Sequence, residues 1–319
     1  MRVVWMREFG GPEVLVPGEA PDPEPTAGQA LVRVAYANIT FVETQYRRGG
    51  FGPFPVEPPI VPGNGVGGVV TRVGAGVDRN LVGKRVVSSL GGSGGYAEQV
   101  VVDAAALLSV PDKVALDDAV AVFADGRTAL LVSDSAGVCR GERVLVEAAG
   151  GGVGSLLVQL SNAAGATVIA AAGDGRKREL AADLGAGVTV DYRDPRWVDE
   201  VRERVGGVDV VFDAVGGEVG RAAFDLLGDG GRFVPFGAAG GGWTEVPAEP
   251  AAERGVTVVP WSVPGPERLR EYSRRALAEV AAGRLRPMIG RRFPLERAAD
   301  AHRAIESRRV VGKTLLEVR

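Results

Sequence analysis

The amino-acid sequence predicts an α/β protein of two domains, one β-rich and the other a doubly wound Rossmann domain. Three observations support this fold class. The length of 319 residues suits about two domains that each bury a core. Short β-type runs separated by glycine and proline occupy the first part of the chain, and helices alternate with apolar strands in the second part.

The β-rich domain is indicated by short runs of β-branched and other apolar residues. Glycine and proline turns bound these runs, and this pattern is typical of a compact, barrel-like β domain. The clearest predicted strands are Gln29–Ala35, Gly67–Val73 and Lys84–Ser88. We assign residues 1–120 to this domain.

Residues 121–264 carry the alternation of helix and apolar strand that a doubly wound parallel sheet requires. The tail then adds an amphipathic helix over Pro266–Gly283 and a closing strand over Arg309–Val318. We expect this strand to return to the first domain, so residues 265–319 are assigned there. The predicted Rossmann strands are Val144–Glu147, Thr167–Ala172, Val188–Asp191, Val208–Asp213, Arg232–Phe236 and Val256–Pro260.

The turn after the first Rossmann strand is rich in glycine. The strand leads into residues 150–154, and a helix is predicted over Ser155–Ala164. Such glycines let the backbone turn sharply and approach a pyrophosphate, while the N–H groups of the helix attract its negative charge. The first position of the dinucleotide fingerprint is Ala149 here. A flexible loop is the alternative, but the order of strand, loop and helix favours backbone contacts to a dinucleotide from Gly151, Gly152, Val153 and Gly154.

Charge and residue usage exclude several classes of function. The formal charge of -3 shows no basic surface for nucleic acid or for an acidic membrane. No signal-peptide pattern and no apolar run of about 18 residues is found, so we expect a cytoplasmic protein. With one cysteine and one histidine the chain lacks the ligands of a catalytic or structural zinc. We therefore expect no metal, and a structural role for His302.

Seven segments together resemble a known family over nearly the whole chain. The sequence is similar to the medium-chain dehydrogenase/reductase superfamily, in its zinc-free quinone oxidoreductase branch, the group that includes zeta-crystallin. The resemblance implies a GroES-like catalytic domain that binds the substrate, and a cofactor that lies in the cleft against the Rossmann domain. The matching segments are Glu8–Leu15, Thr40–Gly49, Val61–Val70, Ala148–Gly154, Asp213–Gly217, Gly231–Gly237 and Val311–Lys313.

The end of the second Rossmann strand indicates which nicotinamide cofactor binds. Enzymes that use NAD place an acidic residue there to hold the ribose hydroxyls, but here Ala172 and Gly173 leave room for a phosphate. The resemblance implies that Lys177 and Tyr192 bind the 2′-phosphate of NADPH. Asp174 opposes this assignment, because its charge would repel a phosphate. The alternative for the basic run around Lys177 is a solvated helix face.

The resemblance also implies which residues surround the nicotinamide and the acceptor. Thr40 replaces the asparagine of the family motif, and its hydroxyl is a candidate to orient an acceptor carbonyl. Tyr46 either donates a proton or packs in the cleft. The residues implied around the cofactor are Thr128 beside the nicotinamide, Val215, Gly216, Phe236 and Gly237 along its approach, and Gly312 and Lys313 at the groove.

Without a Lewis acid, the chemistry points away from alcohol oxidation and towards an electron-poor acceptor. We predict that NADPH reduces a quinone or another α,β-unsaturated carbonyl. The alternative is a low-turnover NADPH-binding protein with a structural or RNA-associated role, like some crystallin relatives. A nucleoside-dependent methyltransferase is disfavoured by the β-rich first domain. We also predict a homodimer, because the apolar segment Gly255–Val263 forms a sheet edge in this fold, unless Pro260 protects that edge.

Overall fold

The computed structural model describes residues 1–52 and 54–318, so Pro53 and Arg319 lie outside the description. The chain divides into two compact units. The first unit comprises residues 1–124 and 273–319, and the second comprises residues 125–272. The first division falls four residues, and the second eight residues, beyond the predicted domain limits. The substrate-binding and cofactor-binding roles assigned to these domains stay predictions.

The helices and strands lie along the chain as follows. The strands are β1 (Arg2–Met6), β2 (Leu15–Glu19), β3 (Gln29–Asn38), β4 (Gly65–Val73), β5 (Arg85–Ser89), β6 (Gln99–Asp103), β7 (Leu108–Ser109), β8 (Arg143–Glu147), β9 (Thr167–Ala171), β10 (Val188–Val190), β11 (Val208–Asp213), β12 (Leu227–Pro235), β13 (Thr257–Val258), β14 (Ile289–Pro294) and β15 (Lys313–Glu317). The α-helices are α1 (Phe41–Gly49), α2 (Leu116–Ala136), α3 (Gly152–Ala163), α4 (Gly175–Asp183), α5 (Trp197–Val205), α6 (Gly217–Phe224), α7 (Ala248–Glu253), α8 (Pro266–Ala281) and α9 (Ala298–Glu306).

The first unit is built on a β-sheet that brings the two ends of the chain together. Its strands follow the order β14-β15-β3-β4-β5-β7, β6 pairs with β3, and β1 and β2 form a separate hairpin. The closing strand β15 pairs antiparallel with β3, which confirms its return to this part of the molecule. Apolar side chains of the sheet pack with those of α9 in one buried cluster. That burial stabilises a strand far in sequence from its partners.

The second unit contains a parallel sheet of six strands in the order β10-β9-β8-β11-β12-β13. Successive strands are added outward from β8 on one side and from β11 on the other, which is the doubly wound arrangement. Val144, Leu145 and Val146 of β8 are fully buried, as expected for a central strand covered on both faces. The predicted Rossmann sheet is confirmed. Its topological switch point lies between β8 and β11, where dinucleotides bind in this architecture.

The differences from the sequence prediction include two element boundaries and one missed strand. The sixth strand is only Thr257–Val258, and Pro260, which lacks an N–H, follows it closely. The helix after the glycine turn begins at Gly152, because the glycines themselves form its first turn. The strand β14 was missed, since its exposed Arg291 and Arg292 give it no apolar periodicity. Among the described residues, no helix is both long and apolar enough to cross a membrane.

Candidate cofactor-binding and catalytic site

The glycine turn of the second unit is held by close backbone packing. Gly151 precedes α3, and its N–H donates to the carbonyl of Ala148 over 2.8 Å. A Cβ on Gly154 would lie 2.3 Å from that same carbonyl oxygen, so no larger residue fits. The first N–H groups of α3, which include those of Gly152 and Val153, have no partner within the helix. The turn therefore has the shape and the donors that a pyrophosphate requires.

A second group of predicted residues gathers beside this turn. A Cβ on Gly150 would lie 2.4 Å from Cβ of Lys177, so this glycine lets α4 approach the turn closely. A Cβ on Gly173 would lie 2.9 Å from Cδ of Arg193 and 3.1 Å from Cε2 of Tyr192. The structure thus brings the stem of Lys177 against the glycine turn and places Tyr192 against Gly173.

The acidic residues near Lys177 already form hydrogen bonds and ion pairs with other groups. Asp174 precedes α4, and its carboxylate accepts the N–H of Arg176 over 3.0 Å. Asp191 pairs with Arg178 at 2.8 Å and with Arg193 at 2.9 Å. The hydrogen bond from Arg193 is the main cause that lowers the pKa of Asp191 to about 2. Asp174 lies at the positive end of α4, where the helix dipole favours a negative charge.

The residues predicted along the nicotinamide converge on Asp213 at the end of β11. Its Oδ1 accepts the N–H of Val215 at 3.1 Å and that of Gly216 at 2.7 Å. The backbone carbonyl of Asp213 accepts the N–H of Phe236 at 2.8 Å and that of Gly237 at 3.3 Å. Gly216 has a φ of +74°, and a Cβ there would lie 2.0 Å from the carbonyl oxygen of Gly242. Position 216 therefore accepts only glycine.

Sequence reasoning missed the buried Glu147, which ends β8 beside Asp213. Both side chains are fully buried, and Oε2 of Glu147 accepts the N–H of Val215 at 3.0 Å. Desolvation, followed by the negative charge of Asp213, raises the pKa of Glu147 well above its ordinary value. An acidic residue at the ends of two apolar strands was the available signal. Only the strand order showed that the two strands are neighbours.

In the first unit, Thr40 precedes α1 and is tied to Glu43. Its N–H and its hydroxyl donate to Oε2 of Glu43 over 2.6 and 2.8 Å, and the N–H of Asn64 donates to Oε1 over 2.9 Å. Burial is the largest influence on the pKa of Glu43 and raises it. An acceptor carbonyl would compete with Glu43 for the Thr40 proton. The role of Thr40 as a carbonyl donor stays a prediction.

Tyr46 is packed among aromatic side chains. Its side chain is 4% exposed, and its ring meets those of Phe9 and Phe54 edge-on. No hydrogen-bond partner for its buried hydroxyl is found in the described part of the chain. Desolvation raises the pKa of this phenol. Of the two roles that the sequence left open, the geometry favours packing.

Gly312 and Lys313 lie where β14 and β15 meet. Gly312 has a φ of +71°, and a Cβ there would lie 2.1 Å from the carbonyl oxygen of Met288. Lys313 is buried at the start of β15, and its charge acts on Glu43. Thr40, Tyr46, Gly312 and Lys313 belong to the first unit, whereas Thr128 on α2 and the remaining predicted residues belong to the second.

The lone histidine is enclosed by the first unit. The side chain of His302 is 1% exposed, and its Nε2 lies 2.8 Å from the hydroxyl of Tyr96. Burial, with the nearby charge of Arg47, lowers the pKa of His302 to about 3. No group of three or more histidine, cysteine or acidic residues suited to a metal is found in residues 1–52 and 54–318. His302 is placed as a neutral packing residue.

Comparison with known proteins agrees with this architecture. Residues 26–112 match the alcohol dehydrogenase GroES-like domain, and residues 152–279 match the zinc-binding dehydrogenase family. A quinone oxidoreductase of Salmonella typhimurium is 35% identical over 98% of this chain and 98% of its own length. A 2-haloacrylate reductase of a Burkholderia species is 33% identical over 96% of each chain.

The solved structures lead to the same class. The Escherichia coli quinone oxidoreductase complexed with NADPH superposes with a TM-score of 0.89 at 29% identity, covering 99% of this chain and 100% of the other. The fold and the glycine-turn site define a two-unit, nicotinamide-type dehydrogenase or reductase. The chain belongs to the medium-chain dehydrogenase/reductase superfamily, in its quinone oxidoreductase branch.

Proposed function

We propose that the protein is an NADPH-dependent oxidoreductase that reduces quinones or other α,β-unsaturated carbonyls. The observation that carries the proposal is the glycine turn at the topological switch point, with Gly173 in the place of an acidic residue and Lys177 packed beside the turn. The relatives named quinone oxidoreductase and 2-haloacrylate reductase support the class of reaction and acceptor.

The residues of the second unit suit NADPH. The backbone N–H groups of Gly151, Gly152, Val153 and Gly154 would hold the pyrophosphate, in a turn that is too tight at Gly154 to admit a Cβ. Lys177 and Tyr192 would hold the 2′-phosphate beside Gly173. Bound NADPH supplies the hydride. The residues proposed to hold the nicotinamide end are Thr128, Val215, Gly216, Phe236 and Gly237, with Gly312 and Lys313 at the groove.

The reaction is proposed to need no zinc. The chain has one cysteine and one histidine, and His302 is committed to Tyr96. A conjugated acceptor is electron-poor and takes a hydride without a Lewis acid, provided that the acceptor is well placed. Thr40 remains the proposed partner of the acceptor carbonyl. The cytoplasmic location expected from the sequence stays a prediction.

The structural or RNA-associated alternative has little support. The full-length relatives reported above are named as reductases or oxidoreductases, and the formal charge of -3 disfavours RNA. Turnover of a conjugated acceptor would exclude a purely structural role.

We further propose a homodimer that pairs two copies of β13. This strand ends the parallel sheet, and Val258 is 39% exposed while the nearby Val263 is 63% exposed. An open apolar edge favours pairing with a second chain across a two-fold axis. Light scattering should give about twice the chain mass of 33.1 kDa. Val258→Asp should yield monomers, and a monomeric wild-type protein would refute the proposal.

Oxidation of the cofactor provides the main test of the proposed activity. Wild-type protein is incubated with NADPH or NADH, a panel of quinones, enones and 2-haloacrylate, and excess chelator. We expect turnover with NADPH that survives chelation. Lys177→Ala should weaken NADPH binding about tenfold with little effect on NADH, since one charge-assisted pair is lost. Arg176→Ala is the matched control on the same helix. No turnover with any acceptor, or equal affinity for both cofactors, would contradict the proposal.

A further inference from the structure

Two carboxyl groups meet at the switch point of the second unit. The strands β8 and β11 are parallel neighbours, with Phe212 opposite Val146, so Asp213 lies opposite Glu147 at their carboxyl ends. Both side chains are 0% exposed. Water therefore does not screen these groups, and the energy of each depends on the other and on the surrounding hydrogen bonds.

The hydrogen bonds of the two acids differ. Asp213 accepts the N–H groups of Val215 and Gly216 on Oδ1 and the hydroxyl of Thr244, at 2.6 Å, on Oδ2. Glu147 accepts the Val215 N–H on Oε2, at 3.0 Å, while its buried Oε1 receives no hydrogen bond in the described part of the chain. The side chain of Glu147 is also hydrogen-bonded to that of Asp213, and a hydrogen bond between two carboxyl groups requires a proton on one of them.

Two buried carboxylates this close cannot both ionise without a large cost in free energy. The pKa of Glu147 is raised first by desolvation and then by the charge and hydrogen bond of Asp213. The charged group that faces Glu147 is Asp213 on β11, and the other contacts described for the pair are backbone N–H groups and the Thr244 hydroxyl. Glu147 is the member of the pair that holds the proton.

We propose that Glu147 is a positioning residue whose proton, donated to Asp213, holds the turn of Val215 and Gly216 in place for the nicotinamide. Loss of this proton replaces an O–H···O bond by two adjacent negative charges that compete for the Val215 N–H. The turn then loosens, and NADPH binds more weakly. The hold of Glu147 on the turn follows from the hydrogen bonds above, whereas its effect on NADPH rests on the proposed function.

The first test compares wild type with Glu147→Gln and Glu147→Leu without cofactor. Glutamine can accept from Val215 and donate to Asp213 at every pH, whereas leucine can do neither. Thermal unfolding from pH 5 to 9 should show the wild-type Tm falling relative to the glutamine variant as pH rises. The sign follows because a group with a raised folded pKa stabilises the fold when protonated and loses this effect on ionising. The leucine variant should melt lower than the glutamine variant throughout.

The second test measures NADPH affinity by fluorescence titration over the same pH range. Wild-type Kd should rise, by up to about tenfold per pH unit once the free protein loses the proton, relative to the glutamine variant. This variant also corrects for titration of the cofactor itself. The leucine variant should bind weakly at every pH.

The outcomes separate the inference from the proposed function. Parallel Tm curves for wild type and Glu147→Gln would overturn the inference. A Tm difference that grows with pH beside parallel NADPH affinities would show a structural pair and overturn the positioning role. If wild type binds no NADPH, the proposed function fails. Amide hydrogen exchange at residues 214–217 then tests the inference. Faster exchange in wild type than in the glutamine variant at alkaline pH would support it, and equal exchange would refute it.

Discussion

The molecule contains two buried glutamates in contrasting surroundings. Glu43 of the first unit is 5% exposed and accepts three hydrogen bonds, and the positive charge of Lys313 acts on it. Glu147 of the second unit is 0% exposed and faces another acid, Asp213. Burial raises the pKa of both, but only at Glu147 do the neighbours add strongly to the rise. Burial is thus the largest cause of the raised pKa in both acids, and the partners either oppose it, as at Glu43, or add to it, as at Glu147.

The largest effect is expected where the turn beside Glu147 allows no side chain. Gly216→Ala would place its Cβ 2.0 Å from the Gly242 carbonyl oxygen, in a backbone with φ of +74°. We expect a loss of about 3 kcal/mol or more in the free energy of unfolding, and weak NADPH binding. Gly217→Ala is the matched control, since its φ is +56° but no atom lies within 4 Å of the added Cβ. It should cost about 1 kcal/mol.

Chemical denaturation of the two alanine variants measures this difference. Similar stabilities for both would show that the turn can shift, and would weaken the claim that Asp213 and Glu147 hold a rigid element.

The same substitution should act differently on the two glutamates. Glu43→Gln turns an amide N–H₂ towards the Thr40 or Asn64 donors, so we expect a loss of about 2 kcal/mol at neutral pH. Glu147→Gln keeps both of its hydrogen bonds and should change stability by less than about 1 kcal/mol at neutral pH or below. Urea unfolding of both variants at one pH gives the comparison. Equal losses would contradict the different hydrogen bonding of the two acids.

A pH dependence of the opposite sign is expected from the first unit. The pKa of His302 is about 3, below its ordinary value of 6.5, so the folded protein binds this proton less readily than the unfolded chain. Stability should therefore fall as the pH drops from 6.5 towards 3, by up to about 1.4 kcal/mol per pH unit. His302→Gln, which can still pair with Tyr96, should remove most of this slope. Unchanged acid sensitivity in the variant would show that other groups dominate.

Much of the fold was predictable because it follows from local patterns. The glycine turn after Glu147 and the apolar runs of the strands in the second half form a pattern that few other folds share. The edge strand β13 was predicted too long, since an apolar run does not reveal where strand pairing ends. The strand β14 was missed, because an edge strand with exposed arginines has no alternation to detect.

The candidate site was only partly predictable, because local patterns do not reveal contacts between distant segments. Gly173 was singled out by its place at the end of the second Rossmann strand, and Lys177 and Tyr192 by the family resemblance. The competition of Glu43 for the Thr40 hydroxyl was not, since it depends on how α1 begins and on the loop that carries Asn64. The deep packing of Tyr46 likewise depends on aromatic rings from other segments.

The sequence by itself determined that this chain builds a doubly wound sheet with a dinucleotide turn, because glycine content and apolar periodicity act over a few residues. Only the tertiary structure decided that Glu147 and Asp213 lie side by side at the ends of neighbouring strands. They lie far apart in sequence, and strand order makes them neighbours. Whether a buried acid keeps its proton depends on electrostatic and hydrogen-bond energies between such distant groups, and these energies arise only when the strands pair.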